Sequence, residues 1–413
     1  MGQVVQRPEL LMPAGDLEKM RTAILYGADA VYLGVAGFSL RSHKAEFSLA
    51  ELEVAVGEAH QLGVKVYAAV NILASNADLG KIPDLAKKLN DLQVDGVIIS
   101  DPGVLLIFQE VCPSLAVHLS TQANTTNVSA VRFWQKHGVK RIVPARELSL
   151  AEVTAIAKAV PEVELELFIH GAMCVAYSGR CFLSAWRSGR GSNQGECTQP
   201  CRWQYRLDEA SRPDDPLILE DDGRFSYLLS SKDLCMIEYL PELISAGVTS
   251  FKVEGRMKSV YYVATVTRAY RWAIDSYLKD PKQYTCQADW LAELNKASNR
   301  GFTTGFYFPK KERIAELASE RKYLQTHELA ATVLEYDAQT QMVLLGVRNW
   351  LENHEELELL LPETTLKIKM AEMCDLNGIL VKQVHNEARV WLPMAEVVPS
   401  GAVLRRKARN LSV

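Results

Sequence analysis

Four of the eight cysteines, Cys174, Cys181, Cys197 and Cys201, crowd one stretch of the chain, and Cys235 follows the Ser231-Lys-Asp-Leu234 segment. Thiolates at this density hold zinc or iron–sulfur centres. Structural zinc takes cysteine pairs about two to four residues apart, each pair forming a knuckle. Only Cys197 and Cys201 approach that spacing, so the pattern favours an iron–sulfur centre and leaves zinc and redox thiols as alternatives. Cys112, Cys286 and Cys374 lie apart and read as ordinary buried thiols.

Arginines and aromatics interleave with these thiols: Arg180, Arg187, Arg190 and Arg202, with Tyr177, Trp186 and Trp203. Guanidinium groups there can offset thiolate charge or bind an anionic substrate. The aromatics either shield the centre or hold a flat ligand. The Gly189–Gly195 loop has neither the spacing nor the lysine of a phosphate loop. No Gly-x-Ser-x-Gly elbow and no His-Glu-x-x-His helix occurs. His170, four residues before Cys174, is the histidine best placed to carry protons, the plain alternative being a structural role.

The elements around these residues repeat. β-branched runs at 10–13, 30–34, 65–70, 96–99, 116–119, 141–144, 164–169 and 250–253 alternate with amphipathic segments, as in a parallel sheet covered on both faces. Ser48-Leu-Ala-Glu51 and Ser149-Leu-Ala-Glu152 are capping boxes that start helices. Eight β/α units predict a TIM-type barrel, with Tyr227–Ser231 a possible ninth strand and a doubly wound sheet the alternative. In a barrel the polar strand ends converge on one mouth. They include Asp16, Asn71, Asp101, Gln122, Arg146, His170, Lys232, Asp233, Glu254 and Arg256.

These readings divide the chain into a barrel over 1–285, with a cysteine-containing insertion at about 174–226, a helical connector over 286–325, and a small β-barrel module over 326–413. The insertion's second half is acidic and reads as a solvated loop. The module ends in Arg405, Arg406, Lys407 and Arg409, either a solvated tail or a phosphate-backbone contact. With 46 Lys+Arg against 50 Asp+Glu, the net charge of −4 gives no bulk attraction for nucleic acid, so any RNA must be held by local patches. No secretory signal or membrane span is evident, and a cytoplasmic, reducing setting is expected, which disfavours disulfides.

The run Glu166-Leu-Phe-Ile-His-Gly-Ala-Met-Cys174 through Cys181-Phe-Leu-Ser184 resembles the collagenase-like peptidase family of unassigned catalytic type. The likeness continues through Cys197–Trp203, Ser231–Leu234, Lys252-Val-Glu-Gly-Arg256, Arg300–Phe306 and Val347-Arg-Asn-Trp350, and so covers nearly the whole chain. Despite its name, the understood members of that family are oxygen-independent hydroxylases. One branch with this C-terminal module uses prephenate to make 5-hydroxyuridine at the tRNA wobble position; others act on ribosomal RNA or a quinone precursor.

The resemblance implies an iron–sulfur cluster, of 4Fe–4S type, on Cys174, Cys181 and Cys197, with the fourth ligand at Cys201 or Cys235. It also implies prephenate as co-substrate, the tRNA anticodon loop as partner, and room for an electron-donor protein. Arg41, Arg180 and Arg256 are then candidates for the prephenate carboxylates, Tyr177 and Trp203 for stacking the base, and Gln122 for the substrate-facing set. Lys232, Asp233 and Glu254 join His170 as candidates for positioning the hydroxyl donor or moving protons. The β module, with its basic tail, is expected to grip tRNA outside the loop. A peptidase, a hydroxylase of another substrate and a non-catalytic RNA-binding protein remain as alternatives.

Overall fold

Apolar runs bounded by turn residues become parallel strands when helices cover both faces, and here they close on themselves. The computed structural model describes residues 7–39, 45–174, 176–191, 197–202, 231–308 and 324–409. Arg41, Trp203, the acidic half of the insertion and residues 227–230 lie outside them. The barrel wall is β1 (Glu9–Ala14), β2 (Ala30–Gly34), β3 (Lys65–Ala69), β4 (Gly96–Ile99), β5 (Val117–Leu119), β6 (Arg141–Ile142), β7 (Glu164–Ala172) and, after an intervening β8 (Asp233–Cys235), β9 (Ser250–Val253). Each pairs in parallel with the next, and β9 joins both β7 and β1, so the expected eight-stranded barrel closes.

β8 is not part of the wall. It runs antiparallel to the end of β7, with His170 opposite Cys235 and Ala172 opposite Asp233, and a short β10 (Phe302–Thr303) pairs with its outer edge. The connector therefore supplies a strand to the barrel's rim as well as the helix Ala288–Lys296. Both expected capping boxes form, with Ser48 and Ser149 each exchanging hydrogen bonds with the glutamate three residues on.

The barrel axis holds charge. Glu166 is fully buried between Lys252 (2.6 Å) and Arg141 (3.3 Å), and Arg141 also pairs with Glu9 at 2.6 Å. Burial alone would raise the Glu166 carboxyl, but Lys252 and Arg141 outweigh it and hold it below the usual carboxylate range. Strand alternation turns these residues inward together, and each charge is tolerated because its partner is present.

The second domain is antiparallel. Its sheet runs in the order Thr365–Lys369, Glu356–Leu360, Val403–Lys407, His327–Asp337, Met342–Val347, Arg389–Pro393, Met373–Cys374, Leu380–Val381, with its own apolar core. It packs on the helix Val260–Lys279, fifteen of whose twenty residues are buried. A helix covered all round belongs between two bodies. Tyr26 donates to the Leu360 carbonyl (2.7 Å) and accepts from Val403 N–H (3.1 Å), while Trp272 donates to the Pro362 carbonyl.

Half of the basic tail is therefore withdrawn from any phosphate: Arg405 and Arg406 are buried, while Lys407 and Arg409 stay exposed. Arg405 is fully buried in a two-pronged pair with Glu293 of the connector helix (2.7 and 2.8 Å) and also bonds Glu358. Arg268 bonds Glu293 from the other side and reaches the Leu361 and Thr364 carbonyls. Arg406 is buried against Glu328 and Glu355, and Arg409 lies 3.7 Å from the Trp350 ring centre. Arg405 and Arg406 face inward because their carboxylate partners were brought there from distant parts of the chain.

Burial would raise the Glu293 carboxyl, but Arg405, Arg268 and Lys296 prevail and hold it down at about 2. A depressed carboxylate contributes stability above its unfolded pKa, and that contribution disappears as pH falls from about 4.5 towards 2; at about 1.4 kcal/mol per unit it is roughly 3 kcal/mol. Glu293→Gln should lower denaturant stability at pH 7 by about 3 kcal/mol and flatten the acid limb of the stability–pH curve; unchanged unfolding would refute the interface account. A chain truncated after residue 324 should lose its folded barrel, read as loss of a cooperative unfolding transition by circular dichroism.

Candidate active site

The mouth is built where the strands end, and the segment leaving β7 lies across it. Arg146, following β6, donates to the Ala172 carbonyl (3.0 Å) and to Ser178 Oγ (3.1 Å), with its guanidinium over the Phe168 ring. Gln122, following β5, accepts from Asn71 Nδ2 (2.6 Å) and Ser120 Oγ (3.0 Å). Gly179 lies directly on it. A Cβ there would come within 3.2 Å of the Gln122 Cβ, and its φ of +75° is one that glycine adopts freely. On the other flank Ser231 Oγ donates to the Met173 carbonyl at 2.8 Å. The Cys174 loop is thus pinned from three sides, and Gln122 serves as its support.

Beyond it, the short helix Leu183–Ser188 carries a second fastening. Ser184 Oγ accepts from Thr198 N–H (3.0 Å), and both Ser184 and Ser188 hydroxyls lie about 3 Å from that of Thr198. This draws the Cys197–Cys201 turn against the helix that follows Cys181. Gln199, in a left-handed conformation, donates its N–H to Cys197 Sγ at 3.4 Å. Cys174 and Cys197 are exposed, and Cys181 and Cys201 are half-buried.

Cys235 is different. It is buried on β8 with its sulfur 3.8 Å from the Tyr270 hydroxyl, and burial pushes its thiol up to about 12. The donor chemistry of these thiols suits an iron–sulfur centre, as does the N–H directed at Cys197 Sγ. Among the described residues, no three Cys, His, Asp or Glu side chains converge as a ready metal cage.

Several strand-end candidates occupy other roles than those expected. Asp233 is buried in an ion pair with Arg300, which donates from Nε (3.1 Å) and Nη2 (2.6 Å), so it is a structural counter-ion of the rim rather than an open acid or base. Lys232 beside it and Glu254 are half-buried. The Glu254 N–H donates to the His170 carbonyl, and its own carbonyl accepts from Tyr262. Arg256 is buried, its Nη1 3.3 Å from Ser39 Oγ; a Cβ on Gly34 would lie 2.0 Å from the same nitrogen. Tyr177 and Arg180 are exposed on the β7 loop. Arg146, expected only as a polar strand end, fastens the loop, and Arg300 positions Asp233, a pairing that nothing local in the sequence signals.

Two family signatures match the chain, peptidase family U32 over residues 15–316 and the peptidase family U32 C-terminal domain over residues 325–405. The chain belongs to peptidase family U32. Among its relatives, tRNA hydroxylation protein P1 of Bacillus subtilis is 42% identical over 87% of this chain and 85% of that protein. The Escherichia coli tRNA hydroxylation protein P is 34% identical over 94% of each. A protein named collagenase from Porphyromonas gingivalis is 32% identical over 73% of this chain and 74% of its own length. In this U32 chain Glu293 falls within the first matched region and Arg405 within the second, so the buried pair joins the family's two parts.

His170 corrects the expectation of a proton carrier at the mouth. It is buried among the rings of Tyr262, Tyr270 and Phe302, with Nδ1 3.4 Å from the Tyr270 hydroxyl. Burial lowers its pKa to about 4; Asp233 opposes that shift and Lys258 adds to it, so the ring is neutral at physiological pH. The unfolded chain takes up this proton below about 6.5, so the folded state loses stability as pH falls from 6.5 to 4, by roughly 3 kcal/mol. Buried His118, lowered to about 3, acts in the same direction. Urea unfolding at pH 7 and pH 4.5 should show a smaller loss for His170→Asn than for the parent chain; an equal loss would remove His170 from the acid response.

Proposed function

We propose that this chain is a tRNA-modifying hydroxylase that forms 5-hydroxyuridine at the wobble position, working in the cytoplasm with prephenate as co-substrate and an iron–sulfur cluster, of 4Fe–4S type, as cofactor. The observation that carries the reading is the seating of the cysteine loop on Gln122 and Arg146 across the barrel mouth, where TIM-type barrels do chemistry. The names of the tRNA hydroxylation relatives supply the substrate class.

Cys174, Cys181, Cys197 and Cys201 are the proposed ligands. The fastening of the Cys197–Cys201 turn by Thr198 favours Cys201 over Cys235 as the fourth. A bound cluster supplies electron transfer at the mouth, with an electron-donor protein as a further partner. The protein's own groups hold the reactants. Hydroxylating a uridine carbon requires the base to leave its stack, and exposed Tyr177 offers a face for it. Prephenate carries two carboxylates, which guanidinium groups bind through paired hydrogen bonds. Arg256, buried beneath the mouth, and Arg180, exposed on the loop, are the proposed partners for them, and Glu254 and Lys232, both half-buried, are proposed to move protons.

The collagenase relative and the family's name favour peptidase action as a second reading. Against it, the mouth histidine is buried, neutral and turned towards Tyr270, which is not how a base activates a nucleophile.

Mass analysis of tRNA nucleosides from a strain lacking its own wobble-uridine hydroxylases decides between the readings. Expression of this chain should restore the hydroxylated uridine. Serine at Cys174, Cys181, Cys197 or Cys201 should abolish it together with bound iron, whereas Cys235→Ser should keep both. Arg256→Ala should reduce it about tenfold or more, as expected for loss of a charge-assisted contact. Unmodified tRNA, with cleavage of an unfolded collagen-like substrate by iron-free protein, would establish the peptidase instead.

A further inference from the structure

The helix Leu183–Ser188 presents two opposite faces. Ser184, fully buried, and Ser188 turn towards Thr198 and fasten the helix down. Phe182, at its N-cap, and Trp186 stand one turn apart, joined by the Trp186 N–H to Phe182 carbonyl hydrogen bond of 2.9 Å, and are 75% and 70% exposed. Residues i and i+4 share a helix face, so both rings stand on one exposed side of the helix immediately after Cys181. Two large aromatics left in water on a helix whose other side is anchored are not core residues awaiting a partner from this chain's described parts.

The charge around them selects the occupant. Residues 174–191 contain Arg180, Arg187 and Arg190 and no acidic residue, in a chain whose net charge is −4. Arg187 lies 5.7 Å from the Trp186 ring centre, an arrangement in which a guanidinium and an aromatic face act together. Exposed rings bordered by arginines suit unpaired nucleotides, since bases stack on the rings while the guanidinium groups meet the phosphates. A protein partner would be expected to need a larger apolar patch and acidic complementarity, and a lone uridine needs only one ring.

We propose that Phe182 and Trp186 form a stacking platform for unpaired bases that flank the nucleotide under modification, holding the RNA loop open over the mouth. The identity of the occupant rests on the tRNA reading above. The platform requires single-stranded RNA but does not require hydroxylation, so the two can fail separately.

The test uses the full chain and two probes, an anticodon stem–loop with an unmodified wobble uridine and a fully paired duplex of the same stem, with binding read by tryptophan fluorescence and electrophoretic mobility. Phe182→Ala and Trp186→Ala should each weaken stem–loop binding about tenfold, with Trp186→Phe restoring it to within about threefold, and none should change duplex binding or the melting temperature. Stem–loop affinity unaffected by both alanine variants would overturn the proposal. So would a loss shared equally by the duplex, or one that tracks a fall in melting temperature, because the rings would then be structural. If the parent chain binds the loop through these rings but makes no hydroxylated uridine in cells, the platform stands and the hydroxylase assignment falls.

Discussion

β7 is longer than the wall it belongs to, and its protruding backbone groups must still be paired. Two strands satisfy them. β9 pairs along the wall and carries on until the Glu254 N–H meets the His170 carbonyl, while β8 turns back antiparallel so that the Met236 N–H meets the Ile169 carbonyl. Gly171 makes this possible, since a side chain there would lie 2.5 Å from the Glu254 carbonyl oxygen. The cysteine loop begins where this three-strand seam ends, and its position over the mouth follows from the seam.

Around that seam the protein places its charges in pairs. Glu166 between Lys252 and Arg141, Asp233 with Arg300, and Glu293 between Arg268 and Arg405 are all deeply buried. Removing the carboxylate at any of the three leaves buried cations short of a partner, which costs more than the intact pair contributes. The three sites join, respectively, the strands of the barrel axis, the connector to the rim, and the barrel to the β domain. Relative orientation is thereby specified by groups that tolerate no sliding, whereas apolar contacts alone would allow some.

The rim uses the opposite arrangement. There Cys174, Tyr177, Arg180, Cys181, Trp186 and Cys197 are exposed or half-exposed on short segments, and only their undersides are fastened, by Gln122, Arg146, Ser231 and Thr198. Rigid supports with reactive groups facing outward suit a substrate too large to enter the barrel, because the chemistry must be presented to it at the surface.

The eight wall strands, both capping boxes and the crowding of four thiols after β7 are legible in the chain itself, because each depends on residues a few positions apart. Periodicity of 2 or 3.6, a serine three residues before a glutamate, and cysteine spacing are local quantities. What tertiary structure alone decided is the role of the residues whose partners are remote: Arg405 turned inward on Glu293, Asp233 given over to Arg300, His170 made neutral by packing, and Cys235 buried beside Tyr270. A side chain's type states what it can do in water. Its protonation, reach and availability depend on which distant groups exclude that water, and only the folded chain brings those groups together.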